Sequence, residues 1–582
     1  MRLAEEALDV LETDVAIVGS GGAGLMCALH AAAVDPRLKI TIVSKGAVGR
    51  SGCTRMVQGG FNAVLGEGDS LESHFLDTLE GGQYLNDQEL AWTLVDDAPR
   101  VVHELEERFG CLFDRTAAGA LDLTTFGGQS FDRTVHRADQ TGLEIMGRLR
   151  DQVLRIGARE LEDWRALDLL FDQHGELSGL TVLDIRAGRV AVLLARVVVV
   201  ATGGSATMFR IAAPAREKSG DGMAMCYRAG LEFRDMEKLQ FHPTGLVAGA
   251  SALTGAVLEE GLRGAGAHLR NRLGERFMER VDPVRLERST RDVVARASYL
   301  EIVEGRGTPS GGVLLDVSHL GAAEVERRFG EMAARTRLIG ADLATGPVEV
   351  SPTAHFHMGG VVIDPDCFTS VHGLLVAGED AGGTHGANRL GGNGVAESTV
   401  FGARAGETAA AIVGGRGLYM PDPRLVAASA ARAYAPLRRD GDRQPFGLTD
   451  RLKETMWTHC GLVRTRDGLL RARAELRELT EHASQLAVGG PREANPAWQQ
   501  ALDLESQLTV ARLIVESALE REESRGAHFR ADHPQRDDER WLRAVAARIS
   551  ATSSSTSRRP LKVWKRIAKR SRHSKTRIPA VP

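Results

Sequence analysis

A glycine-rich turn over residues 386–394 carries side chains that suit the binding of a flat ring and an anion. It contains Asn388, Arg389 and Asn393 among four glycines. Glycine has no Cβ, so its backbone can lie against a planar cofactor ring, and one guanidinium can hold a carboxylate through two parallel hydrogen bonds. Because an exposed surface turn often has the same composition, the interpretation depends on the rest of the chain.

A second glycine-rich segment has the spacing of a dinucleotide-binding turn. Gly19, Gly21 and Gly24 follow the pattern G-x-G-x-x-G, between an apolar strand that starts near Asp14 and an alanine-rich helix. Such a turn lets the backbone approach a pyrophosphate at the positive end of the helix. The spacing alone is a weak signal, but its place between a strand and a helix predicts a dinucleotide site.

The strand that follows, over residues 40–43, ends in Ser44 and Lys45. An acidic residue that binds a ribose hydroxyl would be expected there, so its absence argues against NAD without excluding FAD. A loop of small residues over 49–60 and a strand end over 201–204 are also rich in glycine and permit close approach of a cofactor.

Composition restricts the class of protein. A chain of 582 residues exceeds what one hydrophobic core supports, so two to four domains are expected. No uninterrupted apolar run reaches the roughly 18–20 residues that a membrane span needs, and the first residues lack the apolar core of a signal peptide. We therefore predict a cytoplasmic protein.

Metal centres are not indicated. The six cysteines include no C-x-x-C pair, which argues against a zinc site or an iron–sulfur cluster within this chain. His355 and His357 are two residues apart, but no carboxylate or third histidine follows closely. We predict no metal site.

Charge is unevenly distributed along the chain. Residues 551–582 contain ten Lys/Arg and no Asp/Glu, so the preceding residues hold 63 basic and 77 acidic residues, a net charge of −14. The composition of this basic tail predicts disorder. Its charge also suits contact with an anionic membrane surface or an acidic partner.

Periodicity and composition divide the chain into segments. Apolar residues at three- and four-residue spacings predict helices over 453–463, 469–486 and 501–521. We predict an α/β fold with a Rossmann-like cofactor-binding domain over 1–241 and 351–415, an inserted domain over 242–350, a helical domain over 416–550 and a disordered tail over 551–582.

Several motifs, in order along the chain, together resemble the flavoprotein subunit of the succinate dehydrogenase/fumarate reductase family, from about Thr13 to Trp541. The basic tail has no counterpart in this resemblance. The motifs are Gln-Phe-His-Pro-Thr-Gly at 240–245, Gly-Glu-Arg-Phe-Met at 274–278, Arg-Asp-Val-Val-Ala-Arg at 291–296, His-Gly-Ala-Asn-Arg-Leu-Gly-Gly-Asn at 385–393, Glu-Ser-Arg-Gly-Ala-His at 523–528 and Arg-Asp-Asp-Glu-Arg-Trp at 536–541.

The resemblance implies an FAD-dependent oxidoreductase with an α+β capping domain over 242–350 and a C4 dicarboxylate as substrate. His242, His355 and Arg389, with Glu259 at a substrate-binding position, would hold the dicarboxylate. Arg291 would be the acid/base, with Glu260 and Arg263 relaying its proton. The residues expected to contact FAD are Gly19, Ser20, Gly21, Gly22, Ala23, Gly24, Ser44, Lys45, Cys53, Thr54, Gln58, Gly59, Gly60, Asp221, Glu379, Gly394 and Val395.

Three positions depart from the family's pattern. Cys53 replaces the histidine that links covalently to FAD in most members, so we expect non-covalent FAD and, by the family's pattern, a preference for fumarate reduction. Glu259 replaces a substrate-binding threonine, for which Thr254 is a candidate substitute. Gly394 replaces a serine that usually meets the flavin.

The expected activity is hydride transfer between FAD and fumarate or succinate, with electrons exchanged with an iron–sulfur partner subunit. Contact with the cytoplasmic face of a membrane, through partner subunits or the basic tail, is consistent with this activity. No nucleic-acid partner is expected. The alternatives are an L-aspartate oxidase-like enzyme, a flavoprotein acting on another small carboxylic acid, and a flavin-bearing assembly subunit. The Leu390–Asn393 run argues against the first, because that relative usually has Ala-Ser before the asparagine.

Overall fold

The computed structural model describes residues 2–3, 6–549 and 554–560. The strands are β1 (Arg2–Leu3), β2 (Glu6–Ala7), β3 (Asp9–Val18), β4 (Ile40–Ser44), β5 (Phe61–Asn62), β6 (Leu123–Thr124), β7 (Thr134–Val135), β8 (Arg159–Glu162), β9 (Trp164–Phe171), β10 (Leu177–Asp184), β11 (Arg189–Val200), β12 (Phe233–Arg234), β13 (Leu239–Leu246), β14 (His268–Arg270), β15 (Val313–Asp316), β16 (Val348–His357), β17 (Gly360–Val362), β18 (Leu374–Val376), β19 (Ala381–Gly382), β20 (Arg543–Ile549) and β21 (Ser554–Pro560). The α-helices are α1 (Gly22–Val34), α2 (Leu71–Gly81), α3 (Gln88–Glu107), α4 (Thr141–Ile156), α5 (Asp221–Arg228), α6 (Gly261–Gly264), α7 (Met278–Val281), α8 (Arg291–Glu301), α9 (Ala322–Arg337), α10 (Asn393–Val413), α11 (Pro423–Arg438), α12 (Phe446–Cys460), α13 (Arg466–Ala483), α14 (Pro496–Glu520) and α15 (Asp538–Trp541).

A seven-stranded sheet positions the dinucleotide turn. Its strands β8, β4, β3 and β11 are parallel in that order, and β18 pairs in parallel with the end of β11. The first part of β11 pairs instead with β10, in an antiparallel meander with β9. The ends of β3, β4, β11 and β18 therefore lie side by side, the edge of a parallel sheet at which α/β proteins bind ligands.

The segment inserted between β13 and β16 has a core of its own. Strands β13, β16, β15 and β14 form a four-stranded antiparallel sheet. Apolar side chains from Leu246 to Val350, on this sheet and on α6 to α9, pack into a hydrophobic cluster that is separate from the main core. This cluster lies within the segment predicted as the capping domain.

The C-terminal helices pack into the main core rather than forming one of their own. Buried residues of α11 to α14 belong to the same hydrophobic cluster as those of the seven-stranded sheet. Thr465 and Asn495 cap α13 and α14 by accepting a hydrogen bond from Gly468 N and Trp498 N, the usual role of such residues at a helix start.

Two strands lie where the sequence predicts other structure. β20 falls inside the predicted helical segment, and it pairs with β12 and β21. Residues 544–547 of β20 are all buried, as expected for a short apolar strand covered on both faces. β21 falls inside the tail predicted as disordered, because its backbone pairs with the otherwise open edge of β20 despite its polar composition.

The rest of the predicted disordered tail, residues 561–582, lies outside the described residues. Among the helices that the structure describes, none combines the length and apolar composition required to cross a membrane.

Candidate active site

The turn between β3 and α1 brings three backbone segments together too closely for side chains. Gly19 has φ of +110°, and a Cβ there would lie 2.1 Å from Ala201 O. A Cβ on Gly24 would lie 2.0 Å from Gly19 O. Glycine at both positions is thus required by the close approach of the turn, β11 and α1.

Beside this turn, the end of β4 is held by hydroxyl and charged groups. Ser20 Oγ lies 2.9 Å from Ser44 Oγ. Lys45 Nζ lies 2.6 Å from Asp221 Oδ2 and 3.0 Å from Asp503 Oδ1. The predicted residues Lys45 and Asp221 are therefore brought together, and Asp503 on α14 joins them.

Asp221 is kept ionised by its cations. Burial alone would raise its pKa, but the charges of Arg165 and Lys45 outweigh this effect and hold the pKa of Asp221 below its ordinary range. Arg165 and Asp503 were not predicted from the sequence as residues of the site. No local motif marks them, since they lie on β9 and α14, far from the glycine turns.

The loop after β4 lies against α1 and the cavity. Gly22 N donates a hydrogen bond to Thr54 Oγ1 (3.1 Å), which ties the loop to the start of the helix. Cys53 lines the cavity beside it. Burial raises the pKa of the Cys53 thiol, and the nearby charge of Lys218 only partly opposes this effect.

Glu379 forms a buried ion pair that was not predicted. Its carboxylate accepts a hydrogen bond from Lys218 Nζ and, at 2.8 Å, from His357 N. A Cβ on Gly204 would lie 2.3 Å from Glu379 Oε1, so the glycine at the end of β11 makes room for this carboxylate. Lys218 was missed because it follows no motif and reaches the site only through the fold.

His357 does not point to a metal. Its Nδ1 lies 2.8 Å from Ser205 Oγ and its Nε2 lies 2.9 Å from Met236 O. Both ring nitrogens are therefore engaged by the protein.

Glycine at position 394, near the start of α10, leaves room for the Arg389 side chain. A Cβ at this position would lie 2.7 Å from Arg389 Nη1 and 3.3 Å from Phe356 Cε2. A serine at 394 would therefore displace the Arg389 guanidinium. The preceding Gly392, with φ of +83°, would bring a Cβ to 2.0 Å from Asn62 Oδ1.

Most of the predicted residues line one cavity of about 930 Å³, a size typical of cofactor and ligand sites. Gly24, Glu260 and Arg263 do not line it. Those that do are Gly19, Ser20, Gly21, Gly22, Ala23, Ser44, Lys45, Cys53, Thr54, Gln58, Gly59, Gly60, Asp221, His242, Glu259, Arg291, His355, Glu379, Arg389, Gly394 and Val395.

Two histidines on neighbouring strands, β13 and β16, lie at one end of the cavity. The ring centroids of His242 and His355 are 5.4 Å apart. Thr244 lies within hydrogen-bond distance of His242 Nδ1 through its amide (3.3 Å) and its hydroxyl (3.2 Å), which leaves His242 Nε2 buried without a partner. Burial, reinforced by nearby arginines, holds the pKa of both histidines well below the ordinary value, so both rings are neutral at neutral pH.

Arg389 is a buried cation without a counterion. Its side chain is only 6% exposed, and its Nε is buried without a hydrogen-bond partner. No carboxylate of the described residues forms an ion pair with it, and its guanidinium stacks 4.5 Å above the Phe356 ring. Burial, together with repulsion from Arg291, lowers the pKa of Arg389 to about 9. The site is therefore electrostatically prepared for an anion.

Arg291, by contrast, is paired. It lies at the first position of α8, and its Nε donates to Glu260 Oε2 at 2.7 Å. Glu260 Oε1 in turn lies 3.1 Å from Arg263 Nη2 and accepts a hydrogen bond from Gly127 N. The three side chains form a buried row in which only Arg291 reaches the cavity.

The two arginines of this row keep its central residue, Glu260, ionised. Burial alone would raise the pKa of Glu260, but Arg291 and Arg263 outweigh it and keep the carboxylate ionised. Burial lowers the pKa of Arg263 below its ordinary value. The row therefore has an ionised carboxylate between two guanidinium groups when no proton is being transferred.

Glu259 also lines the cavity, but it has no cation of its own. Its Oε2 accepts a hydrogen bond from Gly261 N, and no Lys, Arg or His of the described residues forms an ion pair with it. The candidate substitute Thr254 donates its hydroxyl to Gly249 O (2.8 Å) and accepts from Ala248 N (3.2 Å). Its hydroxyl is thus engaged by its own loop.

Comparison with known proteins identifies the family. A family model described as FAD binding domain matches residues 14–395, and one described as Fumarate reductase flavoprotein C-term matches residues 449–573. The chain belongs to the flavoprotein subunits of the fumarate reductase and succinate dehydrogenase family. The second match extends into the basic tail, so the expectation that the tail has no counterpart is wrong.

Similar proteins cover nearly the whole chain of this flavoprotein. One of the subunits of the fumarate reductase (CoM/CoB) from Methanothermobacter marburgensis is 41% identical, over 92% of this chain and 97% of that protein. The fumarate reductase flavoprotein subunit of Escherichia coli is 34% identical, over 93% and 92% of the two chains. A solved structure of E. coli quinol fumarate reductase superposes with a TM-score of 0.91 at 32% identity, covering 96% of this chain and 98% of that chain.

These matches confirm the predicted fold class and an FAD-dependent oxidoreductase. The residues of this chain also fit the cofactor. Gly19, Gly22 and Gly59 line the cavity. Cβ atoms added at these three positions would collide with Ala201, Ser398 and Glu259, respectively. FAD is therefore the cofactor of this flavoprotein subunit.

Proposed function

We propose that this flavoprotein subunit reduces fumarate to succinate, with electrons supplied by an iron–sulfur partner subunit. The observation that carries the proposal is Arg389, a buried guanidinium with no counterion among the described residues. Leaving such a charge unpaired costs free energy that a bound carboxylate would recover. FAD, when bound, supplies hydride transfer at its N5.

The two histidines and Arg389 are proposed to bind the dicarboxylate. His242 Nε2 is buried without a partner, so it can donate a hydrogen bond to one carboxylate group when its Nδ1 accepts from Thr244. Arg389 would hold a carboxylate through two parallel hydrogen bonds. Neutral histidines suit this role because they donate hydrogen bonds without adding charge beside Arg291.

Arg291 is proposed to donate the proton that completes succinate, on the carbon that does not receive the hydride. A free guanidinium releases a proton reluctantly, so a route for reprotonation is needed. Glu260, 2.7 Å from Arg291 Nε and 3.1 Å from Arg263 Nη2, offers that route. The lowered pKa of the buried Arg263 favours transfer of its proton towards Glu260.

The reductive direction follows from Cys53 at the position of the family's FAD-linked histidine. Covalent attachment is associated in this family with a higher flavin potential, so a non-covalent flavin favours fumarate reduction. The Wolinella succinogenes and E. coli relatives are named as subunits of reductases. We extend this to an iron–sulfur partner for this chain and to peripheral association with the cytoplasmic face of a membrane.

An anaerobic assay tests the proposal. Purified FAD-loaded protein should re-oxidise reduced viologen when fumarate is added. Arg291→Ala should lower this rate at least about 100-fold, the contribution of a general acid, without loss of FAD. The matched control is Arg327→Ala on α9, a side chain that is 70% exposed and pairs with Glu324.

No fumarate-dependent oxidation by FAD-loaded wild-type protein would overturn the proposal. Formation of iminoaspartate from L-aspartate would then support the oxidase alternative, and other small carboxylic acids would be screened in the same assay. A rate in Arg291→Ala equal to that of the control variant would instead overturn the assignment of the proton donor.

A further inference from the structure

Two adjacent buried carboxyl groups, of which only Glu259 lines the cavity, have opposite surroundings. Glu260 is held by Arg291, by Arg263 and by the amide of Gly127. Glu259 is 8% exposed and accepts one hydrogen bond, from Gly261 N. Its second oxygen, Oε1, receives no hydrogen bond within the described part of the chain.

Glu259 lines the same cavity as His242, His355 and Arg389, which are proposed to bind the dicarboxylate. A Cβ added to Gly59 would lie 2.4 Å from Glu259 Oε1 and 2.7 Å from Phe126 Cζ. A Cβ added to Gly391 would lie 2.7 Å from Phe126 Cδ2 and 3.0 Å from Arg291 Nη2. The Phe126 ring therefore lies near both Glu259 Oε1 and Arg291 Nη2.

The groups that face Glu259 do not provide it with a cation. It faces the neighbouring Glu260, Arg263 on α6 and Arg291 on α8, but Glu260 already pairs with both arginines. From α9, Met332 Sδ accepts a hydrogen bond from Glu259 N at 3.2 Å.

The other nearby cation, Arg335 on α9, contacts Val257 O at 3.4 Å instead. Gln58 and Gly59 complete the lining on the cofactor side.

An ionised Glu259 would thus be a second buried carboxylate beside Glu260, facing a dianionic substrate. Burial raises the pKa of Glu259 to about 7. The Gly261 amide and the charge of Arg291 lower it, and the charge of Glu260 raises it further. When the pKa values of two neighbouring carboxyl groups differ in this way, the two groups usually have different roles. A neutral carboxylic acid has an O–H to donate, as the hydroxyl group of threonine does.

We propose that Glu259 is a specificity-determining residue that binds the dicarboxylate only as a neutral acid, donating its O–H to a substrate carboxylate oxygen, and repels the substrate when ionised. Substrate binding by this chain is then coupled to one proton on the protein. The inference rests on the proposed function, because it takes a dicarboxylate as the ligand.

The sign of the pH dependence follows from the raised pKa. Below it Glu259 is neutral and fumarate binds; above it the competent fraction falls about tenfold per pH unit, and the KM rises by the same factor. Fumarate itself remains a dianion throughout this range. His242 and His355 are neutral there, since burial holds the pKa of each well below its ordinary value.

The experiment compares KM for fumarate from about pH 6 to about pH 8, below the pKa of about 9 of Arg389, in wild type, Glu259→Gln and Glu259→Thr, with holoenzyme and reduced viologen. Wild type should show a KM that rises roughly 10-fold, with a much smaller change in kcat. Both variants retain a donor that cannot ionise, so their KM should stay nearly constant. Glu326→Gln, an exposed carboxyl group on α9, is the matched control and should keep the wild-type slope.

A second readout separates this inference from the proposed function. Fumarate is titrated into oxidised holoenzyme at both ends of the pH range, and binding is followed by the change in flavin absorbance. The inference is supported, even without turnover, if wild type binds fumarate tightly at low pH and loses it at high pH while the Glu259 variants do not show this loss. A wild-type KM independent of pH, or a slope retained in Glu259→Gln, overturns it, and Glu259→Thr decides if the glutamine variant does not fold.

Discussion

At the residue scale, Cys53 decides how the cofactor is held. Burial raises the pKa of this thiol, so it is protonated at neutral pH and is a poor nucleophile towards the flavin ring. We expect acid- or detergent-denatured protein to release all of its FAD, measured as absorbance in the supernatant and as the lack of a fluorescent protein band. Cys53→Ala should behave identically. Flavin that stays attached to wild type and not to Cys53→Ala would contradict this and indicate a thioether.

The same scale shows which site residues sequence reasoning can find. Gly19 and Arg389 were predictable because both lie in short glycine-rich patterns, and a backbone that must approach a cofactor requires glycine. Lys218 and Asp503 were not, because the ion pairs that make them part of the site join segments far apart in sequence. Only tertiary structure brings such charges together.

At the element scale, the segment over 523–528 supports the turn that carries Arg389. Ala527 N donates to Ala387 O at 2.9 Å. Gly526 has φ of +57°, and a Cβ there would lie 2.3 Å from Ala387 O. The C-terminal part of the chain is thus in direct contact with the backbone two residues before Arg389.

Gly526→Ala should therefore displace Arg389 without removing it. A shift of about 1 Å at a binding group can cost roughly 100-fold in rate, so we expect a drop of that order in kcat/KM for fumarate with FAD retained. Gly157→Ala is the control, because it has a similar φ of +66° and nothing within 4 Å of the added Cβ. Equal effects of the two variants would show that backbone strain, and not displacement of the turn, is responsible.

Elements also limit what sequence patterns can predict. α12, α13 and α14 were recognisable because α12 and α13 bury apolar residues at three- and four-residue spacings and α14 buries apolar residues along its whole length. β20 was not, because its short run of small apolar residues fits a helix or a strand equally well. Its pairing with β12, more than 300 residues earlier in the chain, decides in favour of the strand.

At the scale of the whole molecule, two hydrophobic cores meet at the cavity. One contains the seven-stranded sheet and the C-terminal helices, and the other lies in the inserted segment. His242 and His355 lie on the strands that join these two units, while Arg389 belongs to the larger one and Arg291 to the inserted one. A substrate held by all four therefore bridges both units.

The larger unit is also held together by buried ion pairs around Arg521, which is 0% exposed. Its guanidinium contacts Glu237 Oε1 at 2.6 Å, Asp235 Oδ1 at 3.1 Å and Glu523 Oε1 at 3.0 Å. These contacts link the end of α14 both to the segment before β13 and to the segment that supports the Arg389 turn. Arg521 thus connects the helical part of the chain to both sides of the substrate site.

Arg521→Ala leaves three carboxylates buried without this partner. Removing one side of a buried ion pair costs about 3–5 kcal/mol, so the urea midpoint of the holoenzyme should fall sharply and FAD should be released earlier in the transition. Arg37→Ala, which breaks an ion pair of an arginine that is 88% exposed, should leave the midpoint unchanged. If the urea midpoint of Arg521→Ala equals that of Arg37→Ala, the buried carboxylates are compensated by another group. Water or Arg525, which also pairs with Glu523, would be that group.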